Sequence, residues 1–248
     1  YGLDPRNRVW IFVEGETEEE FIKEWFGKYN IALSSSRIVL VNLRSNSGLS
    51  SPIFMAQAQS AREQDAAVFV IVDEDADRTK READLQQWID KGFIHRIFSV
   101  SALCQPEALP IGGLIWEPCF EDANFTFDEL AVAWKQTLYE KHGRDNVNEE
   151  GFARVVALAR TNNSYGSNIK TIEKLTIREQ RSLLMNGKAS FNKVDMGRIL
   201  AKLYGDKDKP IVQLLVRIHH IASLDTVVYR PSGEQQVTES GEQPILEN

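Results

Sequence analysis

Short apolar strands alternating with amphipathic helices predict an α/β fold: a Rossmann-like domain on a four-stranded, mainly parallel sheet, followed by a helical subdomain. Three observations carry this prediction. Val9-Trp10-Ile11-Phe12-Val13 and Val68-Phe69-Val70-Ile71-Val72 are continuous apolar runs of strand length, the pattern of strands buried on both faces. Helix-length segments separate the strand candidates in a β-α-β-α-β-α-β order up to residue 101. From about residue 128 onward the apolar spacing is helical throughout.

Residues 8–13 form the first predicted strand, and Thr17-Glu18-Glu19-Glu20 then has the capping-box pattern, which opens a helix over 18–29 with Thr17 at its N-cap. Gly15 is suited to the sharp turn between them. Arg37-Ile38-Val39-Leu40-Val41 predicts a second strand, Ser45 to Ser51 a loop, and 52–64 a helix. Strand three is placed at 67–72, a charged helix at 79–91 and strand four at 94–100. Residues 102–127 contain Pro106, Pro110, Gly112 and Gly113 and are expected to be irregular. Helices are predicted at 128–141, 149–160, 169–185, 195–204 and 211–222, with Asp195 as an N-cap and Pro210 at a helix start. The tail, 231–248, is rich in Glu, Gln, Ser, Gly and Pro and is expected to be disordered. The implied domains are 1–127, 128–230 and that tail.

With 248 residues and 42% apolar content the chain can bury a proper core. Its apolar runs are strand-length, so neither a transmembrane helix nor a signal peptide is expected, and a soluble cytoplasmic protein is the default. Cys104 and Cys119 lie in no Cys/His cluster, which argues against a disulfide framework or structural zinc. The start at Tyr1 reads as that of a piece of a longer protein. Charge is distributed unevenly: residues 1–150 carry 15 basic and 26 acidic side chains (net −11), whereas 151–220 carry 13 and 5 (net +8). A basic half can hold a polyanion over ions bound by an acidic half, although a basic helical surface can also be no more than solvated.

The chemistry is carried by two acidic clusters at strand ends. Glu14-Gly15-Glu16-Thr17-Glu18 follows strand one, and Asp73-Glu74-Asp75-Ala76-Asp77 follows strand three. Strand carboxyl ends line the ligand crevice of an open α/β sheet, so the clusters can converge across 59 residues of chain. Converging carboxylates repel unless protonated or neutralised by a cation. Oxygen ligands without His or Cys favour Mg²⁺, Mn²⁺ or Ca²⁺ over zinc, and such ions point to phosphoryl-transfer chemistry. Taken singly, the first cluster is also what a solvated helix N-terminus looks like. One glycine stands where a dinucleotide fingerprint needs three, and no Walker A loop is present.

The Glu-Gly-x-Thr-Glu turn after strand one and the Asp-x-Asp after strand three resemble the TOPRIM fold, and the Thr17-Glu18 extension is most similar to the C-terminal TOPRIM domain of OLD-family nucleases of phage defence. The resemblance implies a two-metal DNA endonuclease using Mg²⁺ or Mn²⁺, with Ca²⁺ as a non-productive substitute. It puts Glu14, Glu18, Asp73 and Asp75 in the metal shell. Asp77 would be an outer carboxylate or a helix cap. A later acid comes from Trp116-Glu117-Pro118-Cys119-Phe120-Glu121-Asp122, with Glu121 preferred, then Glu117. The implied lysine, which would stabilise charge on the phosphate, is Lys193, with Lys188 as runner-up. Partners implied are DNA, an ABC-type ATPase domain or subunit that this chain lacks, and a second copy in a homodimer. No membrane partner is expected.

His219-His220 has no acidic partner at ligand spacing and reads as a packing or surface pair, and the scattered tryptophans 10, 25, 88, 116 and 134 read as packing rather than as a base-stacking platform. Two rival functions stand beside the nuclease. One is a TOPRIM docking module with weak or no catalysis, expected if the later acid or Lys193 lies far from the Asp-x-Asp. The other is a receiver-like phosphoacceptor, which needs only about 120 residues and one lone Asp, and fits this chain poorly.

Overall fold

The computed structural model describes residues 8–44, 48–74, 77–103, 111–161 and 166–223. Asp75, Cys104 and the 231–248 tail therefore lie outside the described residues. The elements run β1 (Val9–Val13), α1 (Glu16–Lys28), β2 (Ile38–Asn42), α2 (Pro52–Glu63), β3 (Ala67–Asp73), α3 (Arg78–Asp90), β4 (Ile97–Phe98), α4 (Val100–Leu103) and β5 (Gly113–Trp116). Helices α5 (Phe120–Asn124), α6 (Phe127–His142), α7 (Glu149–Thr161), α8 (Asn168–Arg178), α9 (Lys193–Tyr204) and α10 (Pro210–Ser223) follow. Short 3₁₀ turns occupy Gly48–Ser50, inside the expected loop, and Arg144–Asn146.

The sheet is parallel and has five strands, in the order β2-β1-β3-β5-β4. The expected four-stranded count is thus corrected by β5, which forms inside the segment expected to be irregular. β5 is inserted between β3 and β4, and Gly112 permits this. Its backbone lies at φ +145°, and a Cβ there would sit 2.1 Å from the Arg96 carbonyl oxygen, the acceptor of the Gly113 N–H in the same ladder. β4 is cut to two residues where 94–100 was expected.

Strand alternation divides the interior. Val9, Ile11 and Val13 with Phe69, Ile71, Leu114 and Trp116 pack against α1 and the later helices. Trp10, Phe12, Val68, Val70, Val72 and Ile115 pack against α2 and α3. Side chains on successive strand positions point to opposite faces, so one apolar run feeds both cores. The first core continues from the sheet through α6, α8, α9 and α10. Trp88 closes the second: fully buried, it meets Phe12 edge to face and donates its indole N–H to the Leu49 carbonyl at 2.9 Å. Burying a side chain of that size contributes about 2–3 kcal/mol.

Two caps differ from the sequence reading. The N-cap of α1 is Gly15, two residues before Thr17, and Thr17 is a buried residue of the first turn. Gly15 sits at φ −105°, which any residue adopts, so the turn does not depend on glycine. The N-cap of α9 is Asn192, whose side chain accepts from the Val194 N–H, so Asp195 lies inside the helix. The helix expected at 169–185 ends at Arg178. None of the described helices is long and apolar enough to cross a membrane.

Candidate metal centre

Chain direction across the sheet reverses between β1 and β3, since β2 flanks β1 on one side while β3, β5 and β4 extend on the other. Such a switch point leaves a crevice at the carboxyl ends of the two strands. Glu14 directly follows β1, and Asp73 is the last residue of β3. One Glu14 carboxylate oxygen accepts from the Asp73 backbone N–H at 3.2 Å, and the other accepts from the Arg81 guanidinium at 3.0 Å. Arg81 comes from α3 and is 3% exposed, so this is a nearly buried ion pair.

Glu18 stands four residues beyond Glu14, in the opening turns of α1, and is 1% exposed. Its carboxylate accepts from the Trp116 indole N–H at 2.6 Å. Trp116 ends β5 and pairs with Asp73 in the strand register, so the sheet itself brings this donor to α1. Asp73 in turn accepts from the Phe120 backbone N–H at 2.7 Å, which ties the start of α5 to the end of β3. Glu121, next on α5, is 6% exposed. Burial holds the Glu18 carboxyl well above its ordinary range; the charges of Asp73, Glu121 and Glu14 push in the same direction, and the Trp116 hydrogen bond opposes them. The charges of three carboxylates, Glu14, Asp73 and Glu121, thus reach Glu18 at the switch point. Burial likewise drives the Cys119 thiol upward, reinforced by Glu121 and Asp73, and keeps it protonated.

The remaining expected residues are distributed around this group. Glu117, just past β5, is about half exposed and forms an ion pair with Arg78 at the start of α3. Asp122 is committed elsewhere: its oxygens accept from the Asn168 and Ile169 backbone N–H groups at 2.7 and 3.3 Å, fastening the start of α8. Asp77 caps α3, accepting from the Lys80 N–H at 3.0 Å, one of its two expected roles. Lys193 is the first residue of α9 and is exposed, as is Lys188. One turn beyond Lys193, Gly197 lies against α1 so closely that a Cβ would be 2.1 Å from the Thr17 carbonyl oxygen. Residues four apart share a helix face, so Lys193 stands on the side of α9 that meets the Glu14–Glu18 turn. All five tryptophans are buried, and Trp116 in addition donates its indole N–H to Glu18.

Two participants escaped the sequence reading. In the sequence Arg81 is one charge among many on a charged helix, and Trp116 reads as packing alone. Among the described residues, no group of three or more His, Cys, Asp or Glu side chains forms a ready-made metal site. The donor chemistry nevertheless suits a hard cation: every candidate ligand is a carboxylate, two are nearly buried, and their mutual repulsion is what a divalent ion relieves.

Residues 7–75, which include both acidic clusters, match the family described as overcoming lysogenization defect protein-like, TOPRIM domain. Residues 7–75 are an OLD-like TOPRIM domain. The wider chain is similar in fold to the C-terminal region of the Burkholderia pseudomallei OLD protein, at 15% identity and a TM-score of 0.53, covering 88% of this chain and 99% of that one. It is similar also to the C-terminal region of the Xanthomonas campestris pv. campestris OLD protein, at 14% identity and a TM-score of 0.52, covering 87% and 94%. No curated protein matches the chain. The TOPRIM match ends at residue 75, so β5, α5 and the helices, including Glu121 and Lys193, lie beyond it.

Proposed function

We propose that the chain is a divalent-metal-dependent DNA endonuclease, the nuclease part of an OLD-like antiviral defence protein. An OLD-like TOPRIM domain is consistent with nuclease activity, and TOPRIM domains generally bind divalent metals. The observation that carries the reading is the gathering of Glu14, Glu18, Asp73 and Glu121 at the β1/β3 switch point, with two of them nearly buried.

In this reading Glu14, Glu18, Asp73, Asp75 and Glu121 hold Mg²⁺ or Mn²⁺, with Glu117 at the margin. When bound, such ions supply Lewis-acid activation of water and of the scissile phosphate. The protein's own residues do the rest. The Asp73 N–H and Arg81 fix the Glu14 carboxylate, and the Trp116 indole fixes Glu18, so the ligands are held before a cation arrives. Lys193 approaches from α9 and offsets charge developing on the phosphate. The net positive 151–220 half holds the DNA backbone, giving affinity without reading bases. An ABC-type ATPase would govern access or timing, and the working unit would be a homodimer. Proximity of Glu121 to the Asp73 cluster, and of α9 to α1, favours the nuclease over a docking module.

The test is incubation of the purified chain with supercoiled plasmid in Mg²⁺, Mn²⁺, Ca²⁺ or EDTA, beside an Asp73→Ala, Asp75→Ala double variant. Nicking or linearisation in Mg²⁺ or Mn²⁺ that the double variant loses is expected. Cutting that survives in the variant or in EDTA would refute the assignment.

A further inference from the structure

We propose that α8 is a track for duplex DNA leading away from the metal centre, an inference that rests on the nuclease reading above. Lys170, Lys174 and Arg178 follow one another at four-residue steps on α8, and all three are exposed. Ile169, Ile172, Leu175 and Thr176 of the same helix are buried, so the cations share the outward face. Four residues of helix advance about 6 Å, and the row therefore spans about 12 Å. Along B-DNA, a strand carries one phosphate per about 3.4 Å of axis, so the row covers three or four phosphates. Arg181, also exposed, extends it past the helix end.

Position distinguishes this row from an ordinary solvated face. The start of α8 is fastened to α5 by Asp122, which accepts from the Asn168 and Ile169 N–H groups and is the sequence neighbour of Glu121. Ser167, the N-cap, lies 3.9 Å from the Cys119 thiol through its hydroxyl. The start of the cationic row is thereby fastened to α5, beside Glu121, and the row runs along α8 from there. DNA whose phosphodiester sits on the carboxylate-held ions would meet repulsion from any uncovered acid, and a cationic row beginning at the same place compensates for it. Arg178 also meets Glu179 at 3.1 Å, an exposed pair of little energy that a phosphate can displace.

The experiment is binding of a fluorescently labelled DNA duplex, followed by anisotropy in Ca²⁺ across a KCl series. Wild type is compared with a Lys174→Gln, Arg178→Gln variant and with a control of equal charge loss, Lys202→Gln, Lys207→Gln, on the far end of α9 and beyond it. Circular dichroism melts check that all three fold alike. The α8 variant is expected to bind at least tenfold more weakly, and its slope of log K against log salt to be shallower by about 1.8, at about 0.9 per phosphate contact. The control is expected to keep the wild-type slope. Equal losses in both variants, or none in the α8 variant, would overturn the track while leaving the nuclease reading intact. A wild type that binds no DNA would overturn both.

Discussion

On the sheet face covered by α2 and α3, the core runs through Phe12, Val70, Leu85 and Trp88, and the buried charge among the described residues is Arg81, paired with Glu14. On the face covered by α1 and the later helices, Glu18 and Glu121 are buried to a similar degree, and among the described residues neither has a bonded lysine or arginine. The first face satisfies its charge with a partner from the protein. The second satisfies Glu18 only with a neutral indole. Burying an ionised carboxylate without a counter-charge is unfavourable, so in the proposed reading a cation from solution would relieve the second face.

Breaking the metal side should have the largest effect. Asp73→Ala is expected to lower Mg²⁺-dependent plasmid cutting by on the order of 10²- to 10³-fold, measured as initial nicking rate. Breaking the Arg81–Glu14 pair, which also fixes a proposed ligand, should show in stability as well as in cutting. Arg81→Met leaves Glu14 without its cation and is expected to cost about 3–5 kcal/mol in urea unfolding, whereas Arg81→Lys should recover part of it. Trp116→Phe removes the donor to Glu18 and is expected to cost about 2 kcal/mol by the same measurement.

Glu18→Gln sharpens the comparison through its sign. The Glu18 carboxyl is held above its ordinary value of 4.5, chiefly by burial, so the unfolded chain gives up this proton first as pH rises. Stability is therefore lost above about pH 4.5, where the unfolded group ionises, until the folded group ionises too. In EDTA the variant should match wild type at lower pH and melt higher at neutral pH, by about 2–4 °C for each kcal/mol relieved. Mn²⁺ should reverse the order by stabilising wild type more than the variant. Gly15→Ala should be mildest, under about 1 kcal/mol, because the backbone is extended and a Cβ there meets nothing within 4 Å.

Legibility in the sequence followed the locality of the signal. β1 and β3 are long enough and apolar enough to be read directly, and the acids at their ends locate the crevice because strand polarity fixes which end faces the ligand. β5 is not legible because its four residues, Gly113 to Trp116, carry no alternation, begin with a glycine and follow another; the β3 and β4 ladders, not local preference, make it a strand. α8 ends at Arg178 although no Gly or Pro stops it, because the chain beyond is drawn into an antiparallel bridge between Leu184 and Val147. Arg81 and Trp116 could not be found locally: an arginine on a charged helix and a tryptophan in an apolar segment gain their roles only when α3 and β5 meet the ends of β1 and α1. The acids themselves were visible, whereas the division of Glu121, Glu117 and Asp122 into buried neighbour, surface ion pair and α8 fastener required the fold.

The most direct test of the central claim, that the carboxylates at the switch point form a cation site, is thermal unfolding in EDTA and across a Mn²⁺ titration, for wild type and Asp73→Ala. A cation bound only by the folded state should raise the wild-type melting temperature with Mn²⁺ concentration, by about 2.7 kcal/mol of stabilisation at a hundredfold excess over its dissociation constant, and leave Asp73→Ala unmoved. Wild type that melts at one temperature across the whole titration, or a variant that rises in parallel with it, would contradict the account.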